Sequence, residues 1–342
     1  MTAIISGKVI RRGETSKALG GSELIAFRIA STINKSLLDK FNIIISRHQL
    51  YEDFILNSGN INIYLFQDMP GDRMYQNLFR NDYDKNFYKF IFVSNYQKQE
   101  FLKKFIIDEK KTCVIKNAIY PIDIVKKKFN GEVYLIYHTT PHRGLELLTV
   151  VFERILLEKT NVFLKIFSSF EIYGWMEKDR EYSPLYNHLK NLKNVDYHGS
   201  VSNNQIREEL LKSHIFAYPN IWPETSCLSA IEAMSAQNLL VLPDFAALKE
   251  TGQISKFLYP YKSNLNDHMN IFYEKLKLAI NFVESQADDY FLHINELKSF
   301  ADIHHNWSIQ KDNWNLLLNN ILIENTLTLK FKKTNSPETF NL

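Results

Sequence analysis

The chain has 342 residues, 45% of them hydrophobic and 23% charged, with a formal net charge of +3. This length accommodates one large or two medium domains with ample core, and so small a charge excess argues against a nucleic-acid partner. No stretch approaches the roughly 20 uninterrupted apolar residues of a membrane-spanning helix. The two cysteines, Cys113 and Cys227, lie far apart without metal or redox spacing, and so fit packing residues of a reducing compartment. The start, Met1 to Ser6, is too short and too weakly apolar for a signal peptide. The expected location is cytoplasmic, or peripheral to a membrane.

In chain order, the first motif is Leu19-Gly20-Gly21-Ser22-Glu23, ahead of an amphipathic stretch predicted as a helix over 23–33. Glycine lets a backbone approach a ligand closely, a helix start favours negative charge, and Ser22 is a plausible N-cap. The motif is neither a P-loop nor a GxGxxG fingerprint. Apolar runs at 41–45, 61–66 and 90–93 read as buried strands. The second of them ends in Gln67-Asp68, followed by a Pro70-Gly71 turn. Asp82-Tyr83-Asp84 has metal-type spacing but follows no clear strand and sits among cations, so a solvated loop or helix end is expected there. The segment 97–111 mixes five lysines with Phe101, Leu102, Phe105 and Ile106. An ordinary helix with its apolar face inward is expected, and contact with anionic lipid is the alternative.

After a short run at 114–115, Pro121, Gly131 and the charge run Lys126-Lys127-Lys128 mark a solvated linker. Strand-like runs then recur at 133–137, 162–167, 215–218 and 239–242, with helical patterns at 145–157, 206–211 and 227–236. Ser202 and Gln205 form a capping box ahead of 206–211. Strand–helix alternation in both halves predicts parallel sheets covered by helices. The divisions expected are a first domain at 1–118, a linker at 119–131, a second domain at 132–300, a helix at 301–325 that includes Trp307–Leu318, and a basic tail at 326–342.

Three candidate site segments fall at the C-terminal ends of expected strands, where α/β domains collect ligands. These are Gln67-Asp68, the loop Tyr137 to Gly144 with Arg143 at its turn, and the stretch from Glu224 to Glu232. A guanidinium in such a loop suits a diphosphate. Glu224 and Glu232 bracket Thr225, Ser226, Cys227, Leu228 and Ser229. Thr225, Ser226 and Ser229 are placed in the first turn of a helix whose free N–H groups attract anions. That layout suits a phosphate flanked by hydroxyl-rich groups, as in a nucleotide-sugar. No histidine or acid cluster has convincing metal-ligand spacing.

Together, Gly20-Gly21-Ser22-Glu23, Val93-Ser94, Ile115 to Ile119, Pro141-His142-Arg143-Gly144, His198-Gly199-Ser200, and Tyr218-Pro219 through Glu224 to Glu232-Ala233-Met234 resemble glycosyltransferase family 4. The collinear match runs from about residue 19 to 317. The resemblance implies a GT-B fold, two facing Rossmann-like domains with a cleft between them, and retaining, metal-independent sugar transfer without a cofactor. The donor would be a nucleotide-sugar linked to UDP or GDP, and the acceptor a glycan, a lipid-linked sugar or a protein. By position, Glu224, Arg143 and Asp68 would be catalytic, and Glu224 would contact the donor sugar. Glu232 would hold the ribose, and amides around Ser226, Cys227 and Leu228, with Thr225, would hold the diphosphate. Gly20 and Gly21 would close from the other domain. The neighbourhoods of 167–169 and of 197–201, with Gly199, would line the base pocket. The 301–325 helix would pack back on the first domain.

The chain departs from that family twice. Tyr137 stands where many members carry an arginine, so Arg143 is the one cation of its loop. Gln67 fills a place often held by histidine. Both departures leave room for a non-catalytic nucleotide-sugar or glycan-binding protein on the same fold, and a sugar-nucleotide epimerase is a further alternative.

Overall fold

The computed structural model describes residues 2–11, 20–45, 48–80, 82–124, 127 and 129–334, the side chains of 11 and 328–334 excepted. Two six-stranded sheets each carry their own helices. The first comprises β1 (Thr2–Ile5), β2 (Lys8–Arg11), β3 (Phe41–Ile44), β4 (Ile61–Leu65), β5 (Lys89–Phe92) and β6 (Thr112–Val114), in the order β2-β1-β3-β4-β5-β6. The second comprises β7 (Val133–Tyr137), β8 (Val162–Ile166), β9 (Val195–Tyr197), β10 (Ile215–Ala217), β11 (Leu239–Pro243) and β12 (Leu258–Tyr259), in the order β12-β11-β10-β7-β8-β9.

The second sheet is parallel throughout, as the alternation predicts. In the first sheet only β3 to β6 are parallel, and β1 runs antiparallel to both β2 and β3. Ser6 and Gly7 link β1 to β2 with φ of 45° and 73°. Two consecutive left-handed residues make the tight turn of a hairpin, which reverses the chain.

The order of the second sheet fixes where its loops meet. The chain winds outward from β7 through β8 to β9, then returns to place β10 on the other side of β7. The crevice of a doubly wound sheet opens at such a switch point, beyond the strand C-termini. The loops leaving β7 and β10 carry Arg143 and Glu224. Helix Leu145–Leu156 covers the sheet below them, burying Leu145, Leu148, Val151, Phe152 and Ile155 along one stripe. It starts at Gly144, where φ is 113° and an added Cβ would stand 2.2 Å from the Pro219 carbonyl oxygen. No other residue fits that approach.

The chain crosses between domains at 118–122 and at 305–307, and the two crossings pair. Ile119 N–H donates to His305 O (2.8 Å), and Trp307 N–H donates to Ile119 O (2.7 Å). The helix Trp307–Thr334 then buries Trp307, Trp314, Leu318 and Ile321 among Ile25, Ile29 and Ile33 of the first domain. The Trp307 indole N–H reaches Thr32 Oγ1 at 3.2 Å. The helix continues into the expected tail as far as Thr334, and 335–342 lie outside the described residues.

The linker is solvated only in part: Tyr120, Asp123, Ile124, Asn130 and Gly131 are exposed. Ile119 and Ile122 are core residues of the second domain. Lys127 is half-buried, and its ammonium donates to Ser213 O, to Gln237 O (3.2 Å) and to Asn238 Oδ1 (3.2 Å). Burial pulls its pKa down to about 7. A lysine in a charge run can thus serve as a core donor when three acceptors wait for it. Lys126 and Lys128 lie outside the described residues.

Between β5 and β6, Phe101 is in the first-domain core with Phe105 and Ile107 packed on it, while Ile106 is fully exposed. Asp82 pairs with Lys85 at 2.7 Å on the surface. Among the described residues no helix is long and apolar enough to cross a membrane, and no group of three or more metal-ligating side chains gathers.

Candidate active site

The crevice above β7 and β10 brings Arg143 and Glu224 into direct contact. Arg143 Nη1 donates to Glu224 Oε1, and Tyr218 Oη donates to the same oxygen at 2.5 Å. Burial works to lower the Arg143 pKa, but Glu224 overrides it and the guanidinium is held well above its ordinary value. The other Arg143 arm, Nη2, donates to Tyr173 Oη at 3.5 Å. Two of the expected catalytic residues thus form one buried ion pair, with Tyr218 as a third member that the sequence did not single out. Tyr218 closes the apolar run before the loop, and only the turn at Pro219 aims it back at Glu224.

Tyr137 lies on the core side of this pair. It is fully buried, donates its hydroxyl to Thr140 O at 2.9 Å, and meets the Tyr218 ring edge-on. The place of a second loop cation is therefore filled by a core aromatic. His142, next to Arg143, stacks on Phe170 with ring centres 5.2 Å apart and meets Trp222 edge-on at 4.7 Å. Burial holds its pKa down at about 4, so the ring is neutral at neutral pH.

Around this loop the protein leaves polar groups unanswered. His138 Nε2, Thr139 Oγ1, Thr140 Oγ1, His142 Nδ1, Arg143 Nε and Ser168 Oγ are all buried without a hydrogen-bond partner. Buried polar atoms rarely stay unpaired, so a local group of them calls for ordered water or a polar ligand to complete the bonding. These atoms belong to the loops after β7 and β8. At the end of β8 and β9, Phe167 stacks flat on His198 at 4.7 Å, and Gly199 follows with φ of 68° and open space beside it.

The 224–232 stretch is arranged differently from expectation. The helix begins only at Leu228, with Cys227 at its N-cap, and ends at Ser235. Thr225 and Ser226 therefore belong to the loop, and Glu232 sits one turn inside the helix. Cys227 is buried, which pushes its thiol pKa far up. Thr225 reaches the other domain, donating its hydroxyl to Gln67 O at 2.7 Å. Glu232 is apart from Glu224. It is 7% exposed and accepts from Arg207 Nη1 at 3.4 Å. Burial raises its pKa, and the charges of Arg207 and Arg28 oppose that rise. Neither arginine is legible as a partner in the sequence, since each comes from a distant helix.

The first domain closes the cleft with its glycine loop. The helix Gly21–Thr32 starts two residues earlier than Ser22 would allow as its cap, with Gly20 at the N-cap and no capping side chain. An added Cβ on Gly20 would stand 2.9 Å from the Tyr173 ring, and one on Gly21 3.3 Å from Leu228 Cδ1. The two glycines therefore press against the second domain, Gly20 at Tyr173 and Gly21 at the start of the helix that carries Glu232. Asp68 opens into the cleft. Asp68 is exposed there; partial desolvation raises its pKa, Asp72 adds to the rise and Arg143 opposes it. The Gln67 side chain is tied to Asn117 by two amide hydrogen bonds, of 3.2 and 3.0 Å.

Two kinds of similarity bear on this site. Residues 123–259, which span the second sheet from the linker to β12, match the family described as glycosyl transferases group 1. No curated protein matches the chain. Among solved structures the chain is similar to a glycosyltransferase from Rickettsia africae, with 16% identity and a TM-score of 0.67, covering 92% of this chain and 84% of that one. It is similar to Anabaena HepE in complex with UDP-glucose at 12% identity and a TM-score of 0.65, covering 88% and 83%. It is also similar to TarM of S. aureus at 19% identity and a TM-score of 0.62, covering 87% of this chain and 58% of TarM. The fold is GT-B, with two Rossmann-like halves facing across a cleft.

Proposed function

We propose that the protein is a retaining glycosyltransferase that moves a hexose-type sugar from a nucleotide-sugar to a glycan, a lipid-linked sugar or a protein. The observation that carries this reading is the group of orphaned polar atoms on 138–143 and Ser168, beside the Arg143–Glu224 pair. The match to glycosyl transferases group 1 over the same half supports it, as do neighbours described in complex with UDP-glucose or with UDP and GlcNAc. The leaving diphosphate needs positive charge and N–H donors. Arg143 and the amides of Ser226 to Leu228 supply both, so the reading calls for no metal ion. Glu224 accepts from donor-sugar hydroxyls, Asp68 faces the acceptor, and Glu232 accepts from the ribose. The Phe167–His198 stack and Gly199 adjoin the base.

A panel of UDP- and GDP-sugars tests the proposal, read by donor hydrolysis and by transfer to a broad acceptor array. Turnover that disappears in Glu224→Ala is expected; inactivity of the parent chain across the panel would overturn it. One observation favours a second reading. Tyr137 leaves Arg143 the one cation of its loop, which suits a binding protein that holds the nucleotide-sugar without cleaving it. Calorimetric binding with no turnover on any acceptor would favour that reading. Epimer formation from the donor alone, seen by NMR, would point to an epimerase instead.

A further inference from the structure

Glu232 stands between two arginines that both reach the crossing between the domains. Arg207, on helix Asn203–Lys212, spreads one guanidinium over three acceptors: Glu232 Oε1 at 3.4 Å, Tyr120 O at 2.9 Å and Pro121 O at 3.1 Å. Arg28, on the first helix of the other domain, donates to Ala118 O, and its guanidinium lies over the Tyr120 ring at 5.7 Å. The same crossing is pinned to the returning chain through Ile119, and Ile122 N–H donates to Ser235 Oγ at 2.8 Å, in the helix that carries Glu232.

We propose that Arg207 is a positioning residue that couples occupancy of the donor side of the cleft to the hinge between the domains. The guanidinium is a rigid fork, so its bonds to Glu232 and to the linker carbonyls share one orientation. A ligand hydroxyl that donates to Glu232 changes how strongly the carboxylate holds Arg207, and so how strongly Arg207 holds 120–121. Reciprocity follows: a linker held in place by Arg207 presents Glu232 to the ligand already oriented. This inference rests on the proposal that Glu232 accepts from the donor ribose.

The test uses the full chain with UDP and with GDP, taking whichever the parent binds. Calorimetry gives the affinity, and amide exchange at Ile119 and Ile122 follows the hinge. In the parent, nucleotide is expected to change exchange at both amides. Arg207→Gln is expected to abolish that response and weaken binding about tenfold, the loss of a hydrogen bond to a charged group. Arg207→Lys keeps the charge without the fork and recovers part of the affinity.

A pH series adds a readout that a merely structural role would not move. Glu232 accepts most strongly when ionised, so binding weakens as pH falls through its pKa. With Arg28 left as its remaining cation in Arg207→Gln, that fade moves to higher pH. Unchanged affinity in Arg207→Gln, or a linker response that persists there, overturns the coupling. Faster linker exchange at unchanged affinity overturns it as well and leaves Arg207 a structural clamp. A parent chain that binds neither nucleotide fails the donor-site reading itself, and this inference with it.

Discussion

The Thr225 hydroxyl donates to the backbone oxygen of Gln67 at 2.7 Å, joining the loop beside Glu224 to the loop beside Asp68. This bond crosses from one domain to the other within the candidate site. Removing it with Thr225→Val leaves shape intact and should cost about 1 kcal/mol. Small-angle scattering should show a wider spread of cleft openings. An unchanged scattering profile and unfolding midpoint would show that the bond holds nothing.

The Arg143–Glu224 pair predicts an asymmetry between two substitutions. Glu224→Ala strands a buried guanidinium, a loss of about 3 kcal/mol or more. Glu224→Gln keeps the volume and an acceptor oxygen, and should cost less in a urea titration. Both should lower turnover by about 100-fold or more, because the donor loses an ionised acceptor and Arg143 loses its orientation.

Gly144→Ala should be among the most damaging single-methyl additions in the chain. The new Cβ meets the Pro219 carbonyl at 2.2 Å, and the φ of 113° is unfavourable to any side chain. A loss of about 2 kcal/mol or more is expected from the displaced backbone. Nucleotide binding should fall with it, since Arg143 precedes the moved residue.

Restoring the second loop cation by Tyr137→Arg should fail. The site is fully buried beside Tyr218, and the nearby Glu224 is already paired with Arg143. The expected outcome is a loss of several kcal/mol, or an insoluble chain, with no gain in turnover. A soluble variant with higher activity would show that the loop can turn this side chain into the cleft.

Burial sets a pH window for stability. It lowers the pKa of His48, His142, His214 and His305 to about 4 and that of His138 to about 3. Each stays neutral when folded, while the unfolded chain takes up a proton below about 6.5. The stability they supply is thus fully present above that value and falls as pH drops toward 4. Denaturant titrations should show a decline of about 1 kcal/mol per histidine per pH unit between pH 6.5 and 4, with proton uptake on unfolding.

Much of the fold was legible because the strand runs 41–45, 61–66, 133–137 and 215–218 are apolar on both faces, as in parallel strands between helices. The β1–β2 hairpin was not, because its strands are only four residues each and Ser6-Gly7 is the one turn signal between them. In the site, Glu224 and Arg143 were found by their place after strands. Their contact was not, since it depends on β10 returning to the side of β7. Arg28, Arg207 and Tyr173 come from helices and turns far apart in the chain, and only the packed domains bring them to the cleft. Lys127 was misjudged because three buried acceptors outweigh the polar look of its neighbours.

The helix Trp307–Thr334 is synthesised after the strands of both sheets. Ribosomal synthesis delivers 2–114 well before residue 307, yet the first domain buries Trp307, Trp314, Leu318 and Ile321 in its core. During translation that half carries an open apolar seam while the second domain, its strands all within 133–259, can close. The first domain is therefore sealed by a segment that emerges only after every strand of the second domain.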